Sequence, residues 1–388
     1  MTNKLTQYDT LIETADWLKQ HEQPVAITLT EILEPSGGSS VIIFPPTYAR
    51  KGGDHPYVID VLRTDMSPEA AGDGAEANIC QLDSVGSQAN RMEPCFAQEP
   101  FKALVPQIVI SANGQEVNLL EVGHRIADGA VRFSASNLSD AARQAIDAMK
   151  ELGDAEKLAR LAPTSLVFGF WDSRDSQYRF PRVLSSTVHA TNVVPLKRSA
   201  QFNPAFDPTT IGLTTDSEAE AGQAQSGKDP LSKEGLRAAP AVDTHGGVRV
   251  YGKIVRRTEI NLVNLRALAA SGLDGLNEAE TQKLRRYILG LCLLAGRLQP
   301  NYSLRQGCLL VLKGDTQPVS EIVHPSGERK PFAWDVRDAF EFAKSAASDF
   351  GVAPGGEHLF ESSKVEARLK EKGQEKAEKQ IRRKATKA

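Results

Sequence analysis

The sequence predicts an α+β protein built on an antiparallel sheet. Three stretches carry that prediction. "VAITLTEIL" (25–33) alternates with period two, setting Val25, Ile27 and Leu29 against Ala26, Thr28 and Thr30. "GGVRVYGKIVRRTEI" (246–260) alternates again. "NEAETQKLRRYILGLCLLAGRL" (277–298) instead repeats at helical spacing, with Leu284, Ile288, Leu291, Ala295 and Leu298 on one face. Asn277 is placed to cap it and Glu280 to complete a capping box.

The other elements follow in chain order. Residues 5–19 put Tyr8, Leu11, Ile12, Ala15 and Leu18 on one helical face. "EPSGGSS" turns the chain after the first strand, and "VIIF" (41–44) reads as a second short strand. Residues 65–78 read as an acidic loop. A helix over 83–93 would have Asp83 as N-cap and Val85, Ala89 and Met92 as a thin apolar stripe. Ser84, Gln88 and Arg91 would form the adjacent, exposed stripe, with Ser87 and Asn90 nearby. Such a face is rich in donors, and a helix N-terminus favours anions because its first N–H groups are free. Residues 105–133 predict two strands and a short helix, and 137–161 predicts helix. "SLVFGFW" (165–171) reads as a buried strand, "DSRDSQ" as its turn, and 178–194 as extended chain. Residues 203–246 hold little apolar mass and read as a structureless connection that is either disordered or a functional excursion. In 246–260, Val248, Val250, Gly252 and Ile254 would face the core, and Arg249, Tyr251, Lys253 and Arg257 would face out. Residues 307–314 predict a strand, 335–349 a helix, and 358–384 a charged helix or frayed tail.

The net charge of −3 is distributed unevenly. Residues 361–388 carry +5 and the rest −8. Residues 171–202 carry five Arg or Lys and two Asp. Such local patches, rather than the total, decide what a surface attracts. The longest near-continuous apolar run, Ile288 to Gly296, is too short for a membrane span, and the N-terminus has no signal-peptide pattern. Cys80, Cys95, Cys292 and Cys308 are dispersed, which predicts a reduced, cytoplasmic chain with neither zinc site nor disulfides.

Catalytic patterns are sparse. The chain has no GxxxxGK[ST], no GxGxxG between strand and helix, and no GxSxG. His124 and Asp128 are four apart and could share a helix face, but a third ligand is missing from their neighbourhood, so a structural contact is the simpler reading. Asp172 and Asp175 sit in a turn, where Asp is favoured for local bonding. For 249–257, the structural alternative is an edge strand guarded by cations.

"LDSVGSQANRMEP", "HRIADGAVRFS", "LVFGFWDSR" and "RFPRVLSSTVHATNVVPLKRSAQF" together resemble the RAMP-superfamily backbone subunit of type I CRISPR effectors. More closely, they resemble the Csb-type Cas-seven subunit of type I-G (formerly I-U) systems. The resemblance spans roughly residues 10–350. Gly86, where the family often has a polar residue, and the basic tail depart from it.

The resemblance implies an RRM-like (ferredoxin-like) antiparallel palm over residues 1–360. Finger-like insertions would lie at approximately 34–80 and 100–135 and a thumb-like excursion at 196–246, with 361–388 as a basic tail. It implies a non-catalytic subunit that polymerises along a guide crRNA and presents it to target DNA. Its partners would be further copies of itself, other effector subunits and a separate helicase–nuclease, with no cofactor, metal or membrane. Ser84, Gln88, Asn90 and Arg91 would contact phosphate and ribose; Arg249, Lys253 and Arg257 would line the RNA path; Arg174, Lys197 and Arg198 would contact RNA at the base of the thumb. The alternative is a metal-dependent RNA endonuclease of the same superfamily, in which Asp172, Asp175 or His124 would have to serve.

Overall fold

The computed structural model describes residues 7–13, 22–48, 56–71, 74–213, 230–272, 275–298 and 302–371. Its strands include β1 (Ala26–Pro35), β2 (Ile59–Val61), β3 (Asn78–Asp83), β4 (Leu184–Thr191), β5 (Val193–Phe202), β6 (Ala239–Val250) and β7 (Ile254–Asn261). After these come β8 (Tyr302–Arg305), β9 (Cys308–Leu312), β10 (Val319–Val323) and β11 (Arg329–Pro331). Its helices include α1 (Val85–Met92), α2 (Glu278–Arg297) and α3 (Val336–Phe350). Helices mix with antiparallel strands, as the α+β prediction requires.

The main sheet has the order β8-β9-β1-β7-β4-β3-β2, and β10 and β11 extend it from the free half of β1. Its centre is β1 paired with β7, in a register that sets Thr30 opposite Arg257 and Glu31 opposite Arg256. One face is packed. Ile27, Leu29, Leu184 and Ile260 join a large core with α2 and α3. Leu33, Val188, Ala190 and Ile254 join a second, smaller core with Cys80, Leu82, Val248 and Leu310. Helices α2 and α3 approach closely because Gly290 has no side chain; a Cβ there would meet Ala343 Cα at 2.8 Å.

Strands β4 and β7 leave the sheet together. At Asn192, a left-handed residue (φ 54), β4 passes into β5; opposite it, residues 251–253 separate β6 from β7. Tyr251 N–H donates to Asn192 O, and Thr191 N–H to Lys253 O, both at 2.9 Å. The Asn192 side chain fixes the corner, accepting from Ala77 N–H and donating to Ala75 O at 2.7 Å each. Beyond the corner β5 and β6 form a two-stranded ribbon, from Val193 opposite Val250 out to Phe202 opposite Ala239. At about 3.3 Å per residue, its ten-residue strand β5 reaches about 30 Å.

Several expectations are corrected. The single strand over 246–260 is two strands in different sheets, because the corner interrupts it. The excursion after residue 203 is not structureless, since β6 supplies half the ribbon; residues 214–229 lie outside the described residues. "VIIF" makes only one bridge, Ile43 to Val248. "SLVFGFW" is a buried helical turn, Thr164–Phe168, before a two-residue strand. His124 and Asp128 do not share a helix: one precedes a 3-10 turn, and the other caps residues 129–132 through Ala130 N–H at 2.9 Å. In the N-terminal stretch, 7–9 is helical and Tyr8, Leu11 and Ile12 are buried, while Ala15 and Leu18 lie outside the described residues. The charged tail begins as a docked helix: Lys364 Nζ donates to Ser134 O at 2.6 Å and Arg368 pairs with Asp175 at 2.8 Å. Residues 372–388 lie outside the described residues.

Candidate nucleic-acid interface

The packed face of the sheet contains charge. Arg256 on β7 is almost fully buried and donates to Glu31 at 2.6 Å. Its Nε also reaches Gln88 Oε1 at 3.2 Å and Ser186 Oγ at 3.1 Å, and Nη2 reaches Gly296 O at 3.2 Å. Glu31 also accepts from Tyr302 OH at 3.0 Å. A buried charge costs several kcal/mol unless it is paired and its hydrogen bonds are satisfied. This pair meets both conditions, and it stands between the two apolar cores.

Helix α1 is tied into that network. Its N-cap is Ser84, not Asp83: Ser84 Oγ accepts from Ser87 N–H at 3.2 Å. Asp83 ends β3 instead and is fully buried. Its Oδ2 accepts from Gln88 Nε2 at 2.6 Å and from Arg91 Nε at 2.8 Å. Gln88 is therefore inside the protein, which corrects the expected exposed donor face. Arg91 is one-third exposed, yet its guanidinium also bonds Ser303 O and Leu304 O, so it anchors β8. Ser84 is half-buried and Asn90 exposed.

A second buried pair lies beyond α1. Arg125 meets Glu93 at 2.7 Å, donates to Gly169 O at 3.1 Å, reaches Asn90 Oδ1 at 3.4 Å and covers the Phe168 ring. Burial pushes the Glu93 carboxyl up to about 7, against the pull of Arg125 and a hydrogen bond from Thr164.

The opposite face of the sheet is half-open and polar. Register places Thr30, Arg257 and Thr187 in one row, and Thr28, Glu259 and Ser185 in the next. Arg257 is exposed. His189, one row beyond Thr187 on β4, is held below its usual range by burial and by Arg257, against the pull of Asp60. At the end of this face a cleft of about 360 Å³ opens between β1 and the 251–253 corner. Arg249, Lys253, Lys313, Tyr251 and Ser40 line it, together with Ile32 and Glu34 from the open face. Arg249 also lies over the Tyr251 ring at 5.4 Å.

Residues 27–195 match the family of CRISPR-associated protein GSU0053. This is a RAMP-type Cas family, and the match implies a role in CRISPR defence and in a Cas effector complex. It covers β1 through β4 and the first residues of β5, and so includes α1 and the open face's β1 and β4 rows. No curated protein matches the sequence.

Within this chain the structure gathers only some of the predicted residues. Arg249 and Lys253 share the cleft, and Arg257 stands on the adjoining face. Lys197 and Arg198 are exposed on the ribbon, where Lys197 pairs with Asp243 at 3.7 Å and Arg198 lies over the Phe44 ring. Arg174 is not with them: it lines a separate cleft with Arg132, Arg143, Lys364 and Arg368. Asp172 is bound within its own turn. Burial opposes its ionisation, but the Ser176 amide and hydroxyl, the Asp175 amide and Arg132 together hold its carboxyl below the usual range. Among the described residues, no group of three or more His, Cys, Asp or Glu could hold a metal, and no helix is long and apolar enough to cross a membrane.

Sequence reasoning missed Lys313 and the Glu31–Arg256 pair. Lys313 stands alone in its segment and gives no signal. The pair was detectable: Glu31 continues the Ile27, Leu29 alternation, and Arg256 continues the Gly252, Ile254 one. Two opposite charges at apolar phases of two strands are the signature of a cross-strand buried pair.

Proposed function

We propose that this chain is a non-catalytic backbone subunit of a type I CRISPR RNA-guided complex, and that it holds guide RNA along the open face of an RRM-like palm. The cleft formed by Arg249, Lys253 and Lys313, continuous with the Thr, Ser and Arg257 rows, supports this reading most strongly. Such a surface suits a strand held by phosphate and ribose, because the cations meet phosphates and the hydroxyls and amides meet sugars. Sequence is then read by base pairing, not by the protein. The β5–β6 ribbon serves as the thumb, reaching toward the next copy along the guide.

The test is a salt titration of single-stranded RNA binding by the wild type and by Arg249→Ala/Lys253→Ala. Wild-type affinity should fall steeply with salt, through counterion release. The double variant should bind more weakly and lose about one to two units of salt slope. Its urea midpoint should stay close to wild type, as expected for exposed side chains. Unchanged affinity with an unchanged melt would move the RNA off this cleft. Metal-dependent cleavage of the RNA would replace the scaffold reading with the endonuclease one.

A further inference from the structure

A second unassigned cluster surrounds the short hairpin after Gly169. Phe170 pairs with Phe180 and Trp171 with Arg179. The two phenyl rings stack at 6.2 Å and are buried, so Trp171 and Arg179 take the other face. Trp171 is 55% exposed, a large indole left in water. Arg182 lies across the start of the hairpin, against Gly169: a Cβ on Gly169 would meet Arg182 Cγ and Phe180 O at 2.9 Å. The absent side chain is what gives Arg182 its place.

The charges there are unanswered. Among the described residues Arg182 Nε is buried without a hydrogen-bond partner, and neither Arg179 nor Arg182 has an ion pair. Burial, Arg125 and Arg179 all disfavour the charge on Arg182. Arg125 is answered by Glu93. The nearby carboxylates are committed elsewhere: Asp172 to its turn and Arg132, Asp175 to Arg132 and Arg368. Arg174, in the same turn, is exposed. An unpaired guanidinium pair beside an exposed indole fits a ligand with both an anionic and a flat aromatic part. A single-stranded nucleic acid offers both at each nucleotide. The hairpin is also fixed to α1, because Arg125 bonds both Gly169 O and Asn90.

We propose that this hairpin is a second RNA contact, in which Trp171 stacks on a base and Arg179 and Arg182 hold the adjoining phosphates. This rests on the reading that the chain holds RNA. The contact tolerates any sequence, since every base has a π-face.

The probe is a labelled 20-nucleotide oligouridylate, alongside an abasic oligomer of the same length, with the full chain. Trp171→Ala should weaken oligouridylate binding on the order of tenfold and leave abasic binding unchanged. Trp171→Phe should retain most of the affinity. Arg179→Gln/Arg182→Gln should weaken both probes and reduce the salt slope by about two. Thermal melts on all variants establish that each is folded. If wild type binds, responds to Arg249→Ala/Lys253→Ala and ignores the folded hairpin variants, this site is overturned and the cleft stands. If wild type binds neither oligomer at any salt, both readings fall together.

Discussion

Arg256 and Arg257 are neighbours on one strand with opposite environments. Arg256 faces inward, 1% exposed, with Glu31, Gln88 and Ser186 around it. Arg257 faces outward between Thr30 and Thr187. The pleat alone separates them, since successive side chains point to opposite faces. The first is held by its partners and is unavailable to any ligand. The second has little to hold it and is free to meet one. A basic doublet in a strand is thus one structural and one available cation, and only the phase tells which.

The most severe way to break the comparison is Arg256→Ala. It leaves Glu31 buried with the weaker support of Tyr302 OH at 3.0 Å and of Arg297, whose guanidinium stands 3.5 Å away, so the expected loss is about 3–5 kcal/mol, read by urea denaturation. A loss below about 1 kcal/mol would mean that the pair is solvated in solution. The paired change Glu31→Leu/Arg256→Met sharpens the point. It removes both charges and keeps volume, so it should recover most of that loss, and the two single changes should be strongly non-additive.

The other buried pair predicts a pH effect. The folded-state carboxyl of Glu93 lies at about 7, above its unfolded value, so the folded state binds the extra proton between them. Stability should therefore fall as pH rises from about 4.5 to about 7, because there the unfolded state holds fewer protons. Glu93→Gln should flatten this part of a stability–pH profile. A wild-type profile that is flat between about pH 5.5 and 7, and unchanged there by Glu93→Gln, would show that Arg125 keeps Glu93 ionised in the folded state. The mildest change is Arg257→Ala. Stability should move by less than about 0.5 kcal/mol, while the salt slope of RNA binding should drop by about one. An early melt with normal binding would reverse the assigned roles of the two arginines.

The same contrast shows how much was legible. Ser84, Gln88 and Arg91 looked like one exposed stripe because a helix of eight residues has only a weak apolar periodicity to orient it. In the fold, Asp83 is pulled inside at the end of β3 and takes Gln88 and Arg91 with it. The Arg249 to Arg257 stripe was read as continuous because the alternation runs through Gly252 unbroken. The corner at Asn192 and Gly252 splits it, and only the pairing of two strands distant in sequence creates that corner.

Local chemistry determined the rest. Alternation set β1 and β7, Asn277 set the start of α2 by accepting from Ala279 and Glu280 N–H, and Asp172 set its turn. These are interactions within a few residues, so the sequence by itself contains them. The Glu31–Arg256 pair, the meeting of the C-terminal end of β1 with the 251–253 corner in a basic cleft, and the unpaired Arg182 depend on residues up to more than 200 positions apart. The inward phases of Glu31 and Arg256 are legible in the two alternations, but which residues meet is chosen by strand register and by the burial of two cores, which no local pattern encodes.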